Sequence, residues 1–421
     1  MIAGVLAGGL KSVVGVVVVF LVLVTIHEFG HFIVAKKAGV LVPKFAIGFG
    51  PPIFRFGKGE TEYSIRLFPL GGYVQLAGDM PQDQFFKLGE TLSVVVNDEG
   101  KVTELGEPSD LPNGLVGNLV FVDMAKTYKI ALDLPDGYRE FPIARRAFLV
   151  TGKKDRIALA PPDRQMSQKS ILARMLIIIA GPLMNVLLAM VLFAIVLGSI
   201  GMVTSPPKVA TVLPNSPAAM AGLQKGDVIE QVNGQAVTSW TELVGDIEQH
   251  PKDHLGITVL RNGKLQTLTV TPRRRKSGVG FIGISPAVTH GAVPAVVGGV
   301  KQTGLYTQMI YDSFGTLFTH RNAFVKDSAG PVKIVAIIGQ QAQLGILNLM
   351  NLTALLSLNL AILNLLPIPP LDGSRLLFLI VEFVRGRPID PRKEYLVHAI
   401  GFVLIITLTV VRTYLDVTQL F

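Results

Sequence analysis

The chain has 421 residues, 49% of them hydrophobic and 16% charged, with 39 Lys and Arg against 30 Asp and Glu for a net charge of +9. So little charge at this length excludes an ordinary soluble globule and predicts an integral membrane protein; no DNA- or RNA-reading motif accompanies the basic excess, which reads as inner-face loops facing anionic lipid. Cysteine is absent, which excludes disulfides, thiolate metal sites and cysteine nucleophiles, so any metal must be held by His and carboxylate.

The first element is an apolar run over Val13–Ala35, enough to cross about 30 Å of hydrocarbon at about 1.5 Å per residue. It has no small-x-small cleavage site and is too long for a secretion signal, so it reads as a retained span. Its inner part carries VTIHEFGH. Residues four apart share a helix face, so His27 and His31 are placed to grip one metal ion. Glu28, one position round, reaches a metal-bound water without being a ligand. HExxH therefore predicts two zinc ligands and a general base. A charged side chain at bilayer depth costs roughly 2.5–3.5 kcal/mol on insertion scales, so these groups need a compensating partner. The plainer alternative is a set of polar side chains hydrogen-bonded within a helix bundle.

Further along, Glu60–Asp79 alternates in two short runs around Pro69–Gly72 and predicts a hairpin. Asp79–Lys169 contains strand-like runs (LSVVVND, GNLVFVDM) separated by turn-prone Asn97–Gly100 and Pro135–Gly137, and reads as a β-rich insert without chemistry of its own. A second apolar span covers Met175–Gly198. Pro207–Pro272 offers four strand candidates, a short helix at AAMAGL and a longer one at WTELVGDIEQH; with SPAAMAGLQKGDVIEQVNG it resembles one PDZ domain of the bacterial protease-associated type. Ala292–Phe324 is read either as an amphipathic stretch along the membrane surface or as a loosely packed linker. The third span is Ile346–Leu366. The fourth, Tyr395–Val411, is shorter and contains His398.

Lys36, Lys37 and Lys44 follow the first span, whereas only Lys11 precedes it, which places the start outside and Lys36 in the cytosol. The second span then runs outward and the third inward, where Arg375, Arg385, Arg387, Arg392 and Lys393 follow it. Arg273–Lys276 falls outside against this trend, but charges in a long translocated domain count little. The 79–170 insert is thus expected in the cytosol and the PDZ-like domain outside it.

A catalytic zinc takes three protein ligands and leaves one position open. His250, His254, His290 and His320 fall on the outer side, away from the inner end of the first span, and His398 reads as a packed or interfacial residue. The better candidate lies in NLLPIPPLDGSR, Asn364–Arg375, where three prolines break the helix and Asp372-Gly373 follows in irregular backbone. Depth agrees. His27 lies roughly 21 Å inward of Val13 and about 12 Å from the span's cytosolic end, and Asp372 comes just past the inner end of a parallel span.

HEFGH in the first span, NLLPIPPLDG after the third and an external PDZ domain between spans two and three resemble the site-2 proteases, which are intramembrane zinc metalloproteases. Within them the chain is similar to the RseP-type, anti-sigma-factor-cleaving branch, with the one PDZ domain and long insert of Gram-positive members. The resemblance covers essentially the whole chain. It implies zinc held by His27, His31 and Asp372, with Glu28 as base, and Asn364 holding substrate backbone near the metal. It implies that Asn185, in GPLMN (Gly181–Asn185), helps position substrate, although helix packing explains that motif nearly as well. It also implies a membrane-associated β-element at the hairpin, whose edge, including Gly71 and Gly72, offers backbone partners to an unwound substrate. Ser328–Ile334 resembles a further family segment with no chemistry attached.

The expected architecture is a polytopic α-helical membrane protein of four transmembrane helices. Residues 1–78 carry the first helix and hairpin, 79–170 the cytosolic β-rich insert, 171–205 the second helix and 206–276 the PDZ domain. Residues 277–342 form an extracytoplasmic linker or amphipathic region, and 343–421 the last two helices. The expected partners are single-span membrane substrates, such as anti-sigma factors or signal-peptide remnants already trimmed outside, and the lipid bilayer of a bacterial cell membrane. No nucleic acid is expected, and oligomeric state is not legible. Two other functions share the composition: a non-enzymatic membrane PDZ scaffold, and a metal transporter, against which the lack of inverted repeats argues.

Overall fold

A computed structural model describes residues 9–79, 82–152, 155–275, 277–319 and 330–418. Lys276, His320 and the Ser328 and Ala329 of the Ser328–Ile334 segment lie outside the described residues. The chain divides into two compact units, residues 1–189 with 305–421, and residues 190–304.

In the first unit, helix α1 (Gly9–Lys37) carries the HExxH residues. It stops where Gly39 adopts φ 71° and the Val40 N–H reaches back to the Ala35 carbonyl at 2.9 Å, a left-handed cap that glycine takes without Cβ strain. Strands β1 (Lys44–Lys58) and β2 (Thr61–Gln75) follow. Their turn lies at Gly59–Glu60, not at Pro69–Gly72 as expected from the alternation. Pro69–Gly72 is instead a bend within β2. Phe45 pairs with both Tyr63 and Val74, and Ile47 with both Ile65 and Gly72, so β1 begins between the two halves of β2. Two bent strands thus make four rungs, in the order 72–75, 44–47, 62–65, 54–57. The Gly-Pro-Pro stretch of β1 reads as a breaker in isolation, which hid this partner. Phe49, Ile53, Phe54, Phe56, Leu67 and Phe68 are each 48–67% exposed, a concentration of bare apolar side chains unusual on a soluble protein.

The insert contains β3 (Thr91–Val96), β4 (Val102–Gly106), β5 (Leu115–Asp123), β6 (Lys129–Leu134), β7 (Gly137–Thr151) and β8 (Asp155–Leu159). The sheet order is β4-β3-β5-β6-β7-β8, and a parallel pairing of β4 with β7 (Leu105 opposite Leu149) closes the first five into a small barrel. Closure leaves none of the five with a free edge along the paired stretch, β8 remaining outside it, and encloses Val94, Leu105, Leu119, Ile130 and Leu132. The chain entering and leaving the barrel is stitched together: Leu41 N–H to the Arg164 carbonyl at 2.9 Å, Ala77 N–H to Leu41 at 3.0 Å, and Met166 N–H to Ala77 at 2.7 Å. Helix α2 (Ile171–Ile200) then begins.

The second unit contains β9 (Val209–Val212), β10 (Val228–Val232), β11 (Gln235–Ala236), α3 (Trp240–Gln249), β12 (Leu255–Arg261), β13 (Lys264–Val270) and β14 (Ile284–Pro286). The main sheet runs β11-β10-β12-β13, and β9 pairs with β14. Ser239 and Glu242 form a capping box that starts α3. Arg261 holds the buried Asp227 carboxylate at 2.7 and 2.8 Å. This domain does not end at residue 276 as expected: Ile282 lies in its core and β14 completes a pairing begun at Val209. Beyond it, α4 (Ala292–Thr319) is one continuous helix, where the sequence also allowed a linker.

Back in the first unit, α5 (Pro331–Leu344) turns at Gly345 into α6 (Ile346–Leu365) and packs on α1, where Ser12 Oγ donates to the Gly339 carbonyl at 3.1 Å. After the proline turn come α7 (Asp372–Arg385) and α8 (Pro391–Thr418). Asp372 is therefore the first residue of a helix and not part of irregular backbone; a carboxylate there faces the positive helix end. Among the described residues, α1, α2, α6 and Arg392–Thr418 of α8 are long and apolar enough to cross a membrane.

Candidate metal centre

His27 and His31 lie one turn apart on α1, and the proline turn after α6 delivers Asp372 to them from the other end of the chain. His27 Nε2 is 3.2 Å from His31 Nε2 and 3.1 Å from Asp372 Oδ2, and His31 Nε2 is 3.4 Å from the same oxygen. Tetrahedral bonds of about 2.0–2.1 Å place neighbouring donors about 3.3–3.4 Å apart, so the triangle fits one zinc-sized ion with its fourth position free. Asp372 Oδ2 is buried without a hydrogen-bond partner, as an oxygen awaiting a cation would be. Among the described residues this is the group able to hold a metal.

The far side of each imidazole shows why the near side faces the centre. His31 Nδ1 lies 2.8 Å from the Ile177 carbonyl. A carbonyl only accepts, so Nδ1 carries the proton and Nε2 presents its lone pair. His27 Nδ1 lies 3.3 Å from the Asn185 amide, whose Oδ1 is buried without a partner when Nδ2 faces the ring. With the amide turned over, Oδ1 accepts from Nδ1–H and His27 adopts the same tautomer as His31. The Asn185 carbonyl accepts from Ser357 Oγ of α6 at 2.8 Å, which ties this turn to a third helix.

Gly181 sits between these two partners. A Cβ there would lie 2.2 Å from His31 Nε2 and 2.9 Å from His27 Cε1. Pro182, inside α2, removes the N–H that would bond the Ile178 carbonyl and loosens this turn. Ile177, Gly181 and Asn185 are four apart and form one stripe toward α1. The motif GPLMN, for which the resemblance implies a substrate-positioning asparagine and helix packing is the alternative, thus lies against His27 and His31. Its spacing was the available signal; its target was not. Asn185→Leu should weaken metal binding by about 10–100-fold, whereas Asn185→Asp, which keeps an acceptor, should stay near the parent. Chelator competition measures both, and equal affinity of the leucine variant would reassign Asn185.

Glu28 is not one of the three donors. Its carboxylate lies near the backbone of Val74 and close enough for its charge to act on His27, His31 and Asp372. The rung 72–75 of the hairpin therefore runs alongside α1. Gly72 is what permits this approach, since a Cβ there would meet the Ala46 carbonyl at 2.8 Å and Val24 at 3.0 Å, with Glu28 Cγ at 3.4 Å. Gly71 takes φ 131° against the Phe49 ring. Asn364 is half-buried in the last turn of α6, on the chain that leads to Asp372. His250 and His254 belong to the second unit and bond Asp246 and Thr271, while His398 on α8 packs edge-on against Phe378.

The model of peptidase family M50 matches residues 15–408. Over 98% of its length the chain is 38% identical to the zinc metalloprotease RasP of Geobacillus kaustophilus, covering 99% of that protein. It is 36% identical to the regulator of sigma-W protease RasP of Bacillus subtilis, with 98% of this chain and 99% of the relative covered. Among solved structures, 20% of the chain is similar to 92% of the PDZ domain of the SdrC-like protein of Listeria monocytogenes, at 25% identity and a TM-score of 0.19.

Proposed function

The chain belongs to peptidase family M50 and is a metalloendopeptidase of the site-2 type, and from that premise we propose that it uses zinc to cut single-span membrane proteins within the bilayer. The single observation that carries this is the triangle of His27, His31 and Asp372 beside Glu28, set between helices apolar enough to span a membrane.

Zinc, when bound, supplies a Lewis acid that acidifies water and stabilises a developing oxyanion. Glu28 takes the proton from the attacking water and returns it to the departing amide nitrogen. Asn364 holds substrate backbone beside the donors. A helical substrate cannot offer its carbonyl until its own hydrogen bonds are released, and the 72–75 rung, with Gly71 and Gly72 at its start, provides replacement partners. The exposed phenylalanines of the hairpin rest in lipid, as does the apolar face of α4 bearing Val293, Val296 and Val300. Lysines after the first span favour an active site toward the cytosol, with the barrel on that side and the 190–304 unit, read as a PDZ domain, outside. That outer domain would admit substrates already trimmed, and the sigma-W role in a relative's name favours anti-sigma factors as one such class.

The test is cleavage in proteoliposomes of a single-span substrate offered with an intact or a shortened outer domain. Cutting of the shortened form, lost to a chelator and restored by zinc, is the expected result. Bound zinc with no hydrolysis of either form would favour a scaffold, and metal flux across the vesicle wall a transporter.

A further inference from the structure

We infer that two ion pairs, Asp79–Arg375 and Arg174–Glu382, register helix α7 against both ends of the barrel insert and so position Asp372; this rests on the metal-site reading above. The insert begins at Asp79 and the chain returns through Arg174, in the first turn of α2. Arg375 Nη1 donates to both Asp79 carboxylate oxygens at 3.0 Å. Arg174 Nη2 donates to Glu382 Oε1, and both side chains of this pair are largely buried, 14% and 13% exposed. One helix of 14 residues is thereby strapped to the two points where the barrel joins the membrane unit.

The spacing gives the straps leverage on the metal. Arg375 and Glu382 are seven residues apart, two helical turns, so they lie on one stripe, with Asp372 one turn before Arg375. Leu379, between them, is buried against Leu76, Met166 and Ile178, residues from those same junctions. At the start of α7 the backbone is pinned, since a Cβ on Gly373 would lie 2.3 Å from the Leu365 and Leu366 carbonyls. Beyond that pivot, packing is incomplete. A cavity of about 410 Å³ opens beside the helix, lined by Asp79, Gln165, Arg174, Arg375 and Glu382 among others. Ion pairs bridge it where apolar side chains do not fill it, so together with buried Leu379 they set the rotation of α7 about its pinned end. A metal ligand tolerates displacement of only about 0.2 Å before the bond suffers. Movement of the barrel relative to the helices would therefore be felt at Asp372.

The test uses the full chain in detergent or lipid, with zinc affinity from chelator competition and the visible absorption of the cobalt-substituted protein as readouts. Arg375→Ala and Glu382→Gln should each weaken zinc binding about tenfold, the lower end expected for residues supporting a ligand, and shift the cobalt spectrum. Arg375→Lys should stay near the parent. The reversed pairs, Asp79→Arg with Arg375→Asp and Arg174→Glu with Glu382→Arg, should recover most of the affinity. Parent-like affinity and spectrum in both single variants would overturn the inference while leaving the metal site standing. So would reversed pairs that unfold at the parent temperature yet regain nothing. A parent protein that binds no zinc would remove both.

Discussion

Glu28→Gln is expected to lower turnover of a single-span substrate by roughly 10²–10⁴-fold while leaving bound zinc and thermal unfolding unchanged. The expectation follows from where Glu28 stands. It lies one residue from His27 but round the helix from the donor triangle, so its carboxylate contributes charge to the centre and no ligand atom. Glutamine has the same shape and fills the same space beside Gly72, so the hairpin rung keeps its place beside α1. What glutamine cannot do is take a proton from water at neutral pH. Cleavage rates set beside metal analysis of the same preparation decide the matter. Wild-type turnover in the glutamine variant would remove Glu28 as the base.

Gly181→Ala should abolish stoichiometric zinc binding, and with it cleavage, by adding a single methyl group. Within a helix the change would ordinarily help: alanine is favoured over glycine by roughly 0.8–1 kcal/mol. Here the new carbon would stand 2.2 Å from His31 Nε2 and 2.6 Å from its Cε1, inside any real contact distance. The neighbour is a ring held by the Ile177 carbonyl at one end and offering its other nitrogen to the proposed zinc, so it could not yield without giving up one of them. Gly245→Ala is the control, since it lies within α3 with open space around its absent Cβ. Circular dichroism and zinc stoichiometry on both variants separate helix propensity from the clash. Full zinc binding by the Gly181 variant would mean that the histidines do not face α2 as described.

That Gly181 and Asn185 bear on the histidines was not legible in advance, whereas the pairing of His27 with His31 was. The difference is one of range. A four-residue spacing on one helix fixes a shared face from the chain's own geometry, and the depth of an apolar span follows from its length. The same local rules identify four membrane-length helices and the alternating runs that became β3 and β5. Asp372 was reachable because two distant segments could be compared on the common scale of depth. Asn185 was visible as a polar residue in a span, but depth cannot say which neighbouring side chain a helix stripe faces.

The hairpin shows the same boundary from the other side. Alternation in residues 60–75 marks a strand, but a strand's partner is not written in its own sequence, and β1, broken by Gly-Pro-Pro, gives no local sign of being that partner. The parallel closure of β4 onto β7, the core place of Ile282 beyond residue 276, and the two ion pairs from α7 to the ends of the insert are likewise contacts between remote segments. Helical and strand periodicity, span length and the donor chemistry of HExxH belong to the chain and were determined by it. Which surfaces meet depends on close packing and on satisfying buried polar groups across the whole molecule, and only the folded protein settles that.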